Sequence, residues 1–127
     1  GLFFMADVAA FPVDMKVEIR TNPDLLKVKG MVEDLVQIAA RNVETRAKRD
    51  VPYKTGATRN SIGAREADDL GMGKLAWRIG PTTDYAPFLE FGTRYMSARP
   101  FLIPAIESEG PKLNKAIQRL MVLLGRY

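Results

Sequence analysis

Few residues in this chain are suited to acid–base or nucleophilic chemistry. The 127 residues include no histidine and no cysteine, which excludes imidazole bases, thiolate nucleophiles and every zinc site built on those ligands. Gly71-Met72-Gly73-Lys74 has the composition of a phosphate-binding loop. That loop, however, needs a glycine where Asp68 stands and a Ser or Thr where Leu75 stands, so the run reads as a glycine-rich turn. Asp84 and Glu90 would make an acid and base pair only if they faced each other, and six residues along a short helix they point to different sides. Asp84 is better placed to cap that helix, and Glu90 to pair with an arginine such as Arg94 or Arg99. No nucleophile, base and orienting group stand together. The expectation is a protein without catalytic residues, cofactor or metal.

Charge offers a second kind of chemistry. Net charge is +4, and the excess is local. From Arg41 to Arg65 seven basic residues (Arg41, Arg46, Lys48, Arg49, Lys54, Arg59, Arg65) face two acids, Glu44 and Asp50, an excess of five. Arg46, Lys48, Arg49, Lys54 and Arg59 are therefore candidate contacts for passing DNA or an acidic protein partner. A small basic DNA-binding module is the alternative reading of the chain. Against it, cations at the end of a helix also complement its dipole, and no base-reading motif or stacking aromatic pair accompanies them.

The elements that position these residues follow from periodicity. Val13, Met15, Val17 and Ile19 alternate with Asp14, Lys16, Glu18 and Arg20, the period of a strand with one buried face. Thr21 or Asn22 caps a long helix from Pro23 to about Asp50. Its apolar stripe is Leu25, Val28, Val32, Leu35, Val36, Ala39, Val43 and Ala47. Pro52 stops that helix, and Val51 to Ser61 reads as an extended loop. A strand begins near Ser61 and pairs in a hairpin with Leu75–Gly80, the connection from Asp68 to Lys74 being mobile. A short helix follows from Tyr85 to Phe91, with Pro87 in its first turn and Gly92 ending it. The last helix starts near Pro104, with Gly110-Pro111 predicting a kink or a break. Leu113, Ala116, Ile117, Leu120, Met121 and Leu124 form its stripe.

The expected class is α+β: a small antiparallel sheet of about three to four strands packed against a long N-terminal helix and a C-terminal helix. Residues 13–127 make one domain, the size being too small for two cores. Residues 1–12 are read as a flexible arm or a start-codon artefact. No run of ~20 apolar residues predicts a membrane span.

The most informative stretch is Tyr85-Ala86-Pro87-Phe88-Leu89-Glu90-Phe91-Gly92-Thr93, followed by Arg99-Pro100-Phe101-Leu102 and Pro104-Ala105. It combines an aromatic helix, a tight Gly-Thr exit and a segment stiffened by two prolines, and aromatics with arginine are enriched at interface hot spots. This block resembles the signature of the phage head–tail joining and tail-completion family of lambda-type siphophages. Upstream, Val51-Pro52, Thr55-Gly56, Arg59-Asn60-Ser61-Ile62 and Gly80-Pro81 are similar to that family as well, so the likeness spans roughly residues 23 to 125.

The resemblance implies a small α+β subunit of the neck or upper tail. Such a subunit joins a ring, commonly a hexamer, between the tail tube and the head connector. Its implied neighbours are the connector or head-completion protein and the tail terminator or tube protein. The implied location is the virion, after assembly in the host cytoplasm, and catalysis is not implied. Tyr85, Phe88, Glu90, Phe91, Gly92, Thr93, Arg99, Pro100, Phe101 and Pro104 are the expected structural or subunit-interface residues.

Overall fold

Alternation along residues 13–19 has the predicted consequence in the computed structural model, which describes residues 2–7, 11–19, 28–52 and 56–123. Val13, Met15 and Val17 are wholly buried, whereas Asp14, Lys16 and Glu18 are only half-buried. This strand, β2 (Val13–Ile19), pairs antiparallel with β1 (Leu2–Asp7), from Leu2 opposite Ile19 to Asp7 opposite Asp14. Residues 2–7 are thus a strand of the sheet, where the sequence reading has a flexible arm or artefact.

The first helix, α1, covers Lys29–Asp50 and buries Val32, Val36, Ala39, Ala40, Val43 and Ala47. Steps of three and four put these residues on one face of the helix. Leu35 packs against the same core half-buried. The proposed caps Thr21 and Asn22, with Pro23 and Leu25, lie outside the described residues. Val51 ends the helix in an extended conformation, ψ 137°, as the residue before a proline favours.

Gly56–Ser61, read as loop, is a short helix, α2. The buried Thr58 hydroxyl lies 2.9 Å from that of Thr83. Ser61 Oγ donates to Thr58 O and accepts the Thr82 N–H. These side-chain bonds tie the turn to residues past the sheet, a long-range effect that local propensity does not carry.

The expected hairpin is present: β3 (Gly63–Glu66) pairs antiparallel with β4 (Ala76–Gly80), from Gly63 opposite Gly80 to Glu66 opposite Trp77. Its connection folds into two 3-10 turns, Asp68–Leu70 and Gly73–Leu75, where the sequence reading has a mobile link. Trp77 Nε1 donates to Lys74 O at 2.9 Å, and Lys74 N donates to the Glu33 carboxylate at 3.3 Å.

Strand order in the sheet is β1-β2-β4-β3, so β4 is central. On it Trp77, Ile79 and Ala76 are all buried. Arg78 is gripped by Asp14 across the strand pair and by Asp69 from the turn, at 2.7 and 2.9 Å. The hydrogen bond from Arg78 holds the Asp69 carboxyl below the ordinary carboxylate range.

After β4 come α3 (Ala86–Phe91) and the closing helix α4 (Ile103–Leu123). α4 is one continuous helix with Pro111 inside it, not the broken pair that Gly110-Pro111 suggests. A proline inside a helix costs ~3 kcal/mol. Burial of Ala105, Ile106, Leu113, Ile117 and Met121 along one stripe offsets it, at ~1.5–3 kcal/mol for each large side chain. Leu124, read into the same stripe, lies outside the described residues.

Helices α1 and α4 pack side by side in opposite directions. Asn42 and Arg46 of α1 meet the buried Glu109 of α4 at 3.4 and 3.1 Å, whereas Met31 and Leu35 lie beside Leu120 and Leu123. One hydrophobic core joins the sheet, both long helices and the residues around α3. The class is α+β, as the pattern of elements predicts.

Candidate assembly surface

The block from Tyr85 to Pro104 folds as a single braced unit. Tyr85 occupies the cap position of α3 and Pro87 sits in the first turn, but no side chain caps the helix. Asp84 is therefore not the cap. The tyrosine backbone is already helical (φ −77°, ψ −23°), which leaves a preceding carboxylate out of line for that task.

Ala86 and Leu89 turn inward, while Tyr85, Phe88 and Phe91 remain 49%, 49% and 54% exposed. These three rings form a ridge. Phe101 divides from them completely, being wholly buried. Phe11 links ridge to core, edge-on to Phe91 at 5.8 Å and to Phe101 at 6.4 Å between ring centroids.

Gly92 closes α3 with φ +76°, its N–H donating to Phe88 O at 2.8 Å. A Cβ there would lie 2.8 Å from Ala98 N and 2.9 Å from Met96 O, and both are backbone atoms that cannot swing away. Gly92→Ala is therefore expected to lose about 2 kcal/mol, from the left-handed backbone and the forced shift together. Thermal unfolding of the variant checks this, and an unchanged midpoint would show that the 93–98 segment yields freely.

Beyond Gly92 the chain makes a tight reversal. Thr93 and Met96 exchange backbone hydrogen bonds at 2.8 and 3.3 Å, leaving Arg94 and Tyr95 at the tip. Tyr95 is 88% exposed with the Arg94 guanidinium 5.3 Å from its ring centre. Tyr95 is not among the contact residues expected from the sequence. Its signal was available, since a large aromatic two residues past a Gly-Thr exit has no core to enter.

Glu90 explains why this unit holds its shape, and not in the way the sequence reading gives. The side chain is 3% exposed and pairs with neither Arg94 nor Arg99. Its carboxylate accepts the backbone N–H groups of Phe101, Leu102 and Ile103 at 3.3, 2.8 and 3.4 Å. Those donors lie at the start of α4, where the first N–H groups have no intrahelical acceptor and the dipole favours negative charge. Glu90 thus caps α4 from another helix. Arg99 N–H donates to Leu89 O at 2.7 Å, adding a second tie between the two halves. The side chains of Thr93, Arg99, Pro100 and Pro104 face solvent.

The basic end of α1 is differently arranged. Arg46 pairs with Glu109 at 3.1 Å, Lys48 with Glu44 at 3.5 Å and Arg49 with Asp50 at 2.9 Å. The hydrogen bond from Arg49 lowers the Asp50 carboxyl below its usual range. Arg59 donates to Val51 O at 3.2 Å, closing α2 on the end of α1. Lys54 lies outside the described residues. Lys48 and Arg49 thus hold the two acids of the same stretch and Glu109 adds a third, so these side chains have partners within the chain while the end of α1 keeps a positive excess.

Among the described residues no group of three or more His, Cys, Asp or Glu side chains could hold a metal ion. No helix among them is long and apolar enough to cross a membrane.

The family model described as "Bacteriophage HK97-gp10, putative tail-component" matches residues 14–92. The match runs from β2 through α3 to Gly92. No curated protein and no solved structure matches the chain.

Proposed function

We propose that this chain, which belongs to the HK97-gp10-like family of bacteriophage tail components, is a structural ring subunit at the junction between tail and head, and not an enzyme. As a tail component it is part of the virion and meets other phage structural proteins. The finer assignment rests chiefly on one observation: Tyr85, Phe88 and Phe91 stand exposed on a helix locked to α4 by the buried Glu90. An aromatic ridge held rigid before binding loses little conformational entropy on contact, which suits a joint between subunits.

A closed ring, with six copies as the expected number, follows if each subunit presents unlike surfaces to its two neighbours. The connector or head-completion protein on one side and the tail terminator or tube protein on the other are the fitting partners, with assembly in the host cytoplasm. A phage lacking this protein is expected to accumulate separate full heads and tails. Joined, infectious particles from that phage would refute the role.

Binding of passing DNA is the weaker reading, because no base-reading motif or stacking aromatic pair accompanies the cations and Arg46, Lys48, Arg49 and Arg59 each already hold a partner within the chain. The purified protein is expected to show no retention of duplex DNA at low ionic strength. Affinity falling steeply with salt would restore the DNA reading.

A further inference from the structure

The sheet has two edges of unequal character, and its hydrogen-bond pattern says which backbone groups each leaves open. Ala67 N–H donates to Ala76 O at 3.0 Å, and antiparallel strands turn alternate residues to alternate neighbours. Ala76, Arg78 and Gly80 therefore face β3, whereas Trp77 and Ile79 face β2. Carried through the unbroken register of β2 with β1, the alternation gives Phe3, Met5 and Asp7 to β2. The backbone N–H and C=O groups of Leu2, Phe4 and Ala6 are left pointing out of the sheet.

At the other edge the outward residues of β3 are Ala64 and Glu66. That edge is guarded. Arg41 Nη1 donates to Ala64 O at 3.2 Å, with its guanidinium 5.4 Å from a Trp77 ring centre, and Arg65 and Glu66 put charge into a strand of four residues. Strand β1 carries none of these devices. Leu2 to Ala6 holds no charge and no proline, its register has no bulge, and no hydrogen bond among the described residues reaches its outer side. Such an edge is a ready template for another strand.

We infer that β1 of the free protein pairs antiparallel with β1 of a second copy about a two-fold axis at Phe4, so that two sheets continue as one. The occupant must itself be a strand with free donors and acceptors. Among the described residues the chain offers two such edges, and the guard on β3 leaves β1. Leu2 then faces Ala6 and Phe4 faces its own copy, the register in which all three outward residues of each copy pair, with roughly six new backbone hydrogen bonds. No like charges meet. Asp7, the one charged residue of the strand, lies past the paired span, about 20 Å from its copy and beyond the screening length at physiological salt. One strand further in, Lys16 holds Glu18 and Asp14 holds Arg78. The contact uses no residue of the aromatic ridge and does not rest on the ring reading. It covers an aggregation-prone edge of the subunit before assembly.

The test places a cysteine at the axis of a chain that has none of its own. In Phe4→Cys the two Cα atoms stand about 5.5 Å apart, inside the range that a disulfide spans. In Leu2→Cys they stand about 14 Å apart, far outside it. Under mild oxidation of the full chain, with folding of each variant checked by circular dichroism, Phe4→Cys is expected to give the linked dimer at least about tenfold faster than Leu2→Cys. Equal rates, or no link in folded Phe4→Cys, would overturn the pairing. Sedimentation gives a second readout without the cysteine. The unaltered protein is expected to form a dimer, and Ala6→Pro is expected to raise its dissociation constant at least about tenfold, because it deletes an outward N–H and leaves those bonded to β2. A monomer at every concentration, or a dimer that Ala6→Pro leaves equally tight, contradicts the inference.

Discussion

Phe101→Ala is expected to destabilise the fold by about 4 kcal/mol, the largest loss of any single change in the aromatic block. The ring is wholly buried in the core cluster, touches Phe11 edge-on and lies just ahead of α4 in the chain. Truncation removes the transfer energy of the side chain and leaves a cavity, which the braced backbone around it fills poorly. Denaturant unfolding of the isolated protein reads the change directly. A loss below about 1 kcal/mol would mean that the site collapses easily and that Phe101 is not a keystone of the core.

Glu90→Ala is expected to cost about 3 kcal/mol, because three N–H groups at a helix start, two of them buried, lose their common acceptor. The pattern across variants distinguishes capping from packing. Glu90→Gln retains one carbonyl oxygen of nearly the same shape and is expected to lose only about 1 kcal/mol. Equal losses for Ala and Gln would locate the importance of Glu90 in its charge. Little loss for either would remove the brace on which the rigidity of the ridge depends. Assembly should suffer beyond stability, since a freed α3 would have to be ordered again on binding.

These two residues also mark the limits of what the sequence makes legible. Phe101 reads correctly as core or contact, because an aromatic between prolines has few other uses, but its complete burial depends on Phe11, ninety residues away. Glu90 reads as an arginine partner, since a carboxylate near two arginines is the local inference. Its true acceptor role appears only when α4 is brought against α3. The same separation explains α2, whose Thr58 and Ser61 bonds cross to Thr82 and Thr83.

Period and spacing were sufficient elsewhere. The alternation of β2 and the stripe of α1 follow from hydrophobic pattern alone, the β3–β4 hairpin from the alternation of β4 and the turn residues before it, and the end of α1 from Pro52. Strand β1 did not emerge, because Leu2 to Ala6 is an unbroken apolar run with no period to count. Continuity of α4 through Pro111 was hidden for the converse reason. Local chemistry argues for a break, while burial on both sides of the proline carries the helix through.

The basic cluster shows what a count within a sequence window leaves out. Seven cations against two acids is a real imbalance, and the fold changes it by one: Glu109, distant in sequence and buried, takes up Arg46, while the Val51 carbonyl orients Arg59 without neutralising it. Counting charge within a window cannot see partners supplied by the fold.

Electron microscopy of intact particles at a resolution that traces helices tests the central proposal most directly. The account predicts this α+β fold, repeated as a closed ring where the tail meets the head, with each aromatic ridge seated on an adjacent subunit. Virions that carry no copy of the chain at that level, or carry it singly with its ridge facing solvent, would contradict it.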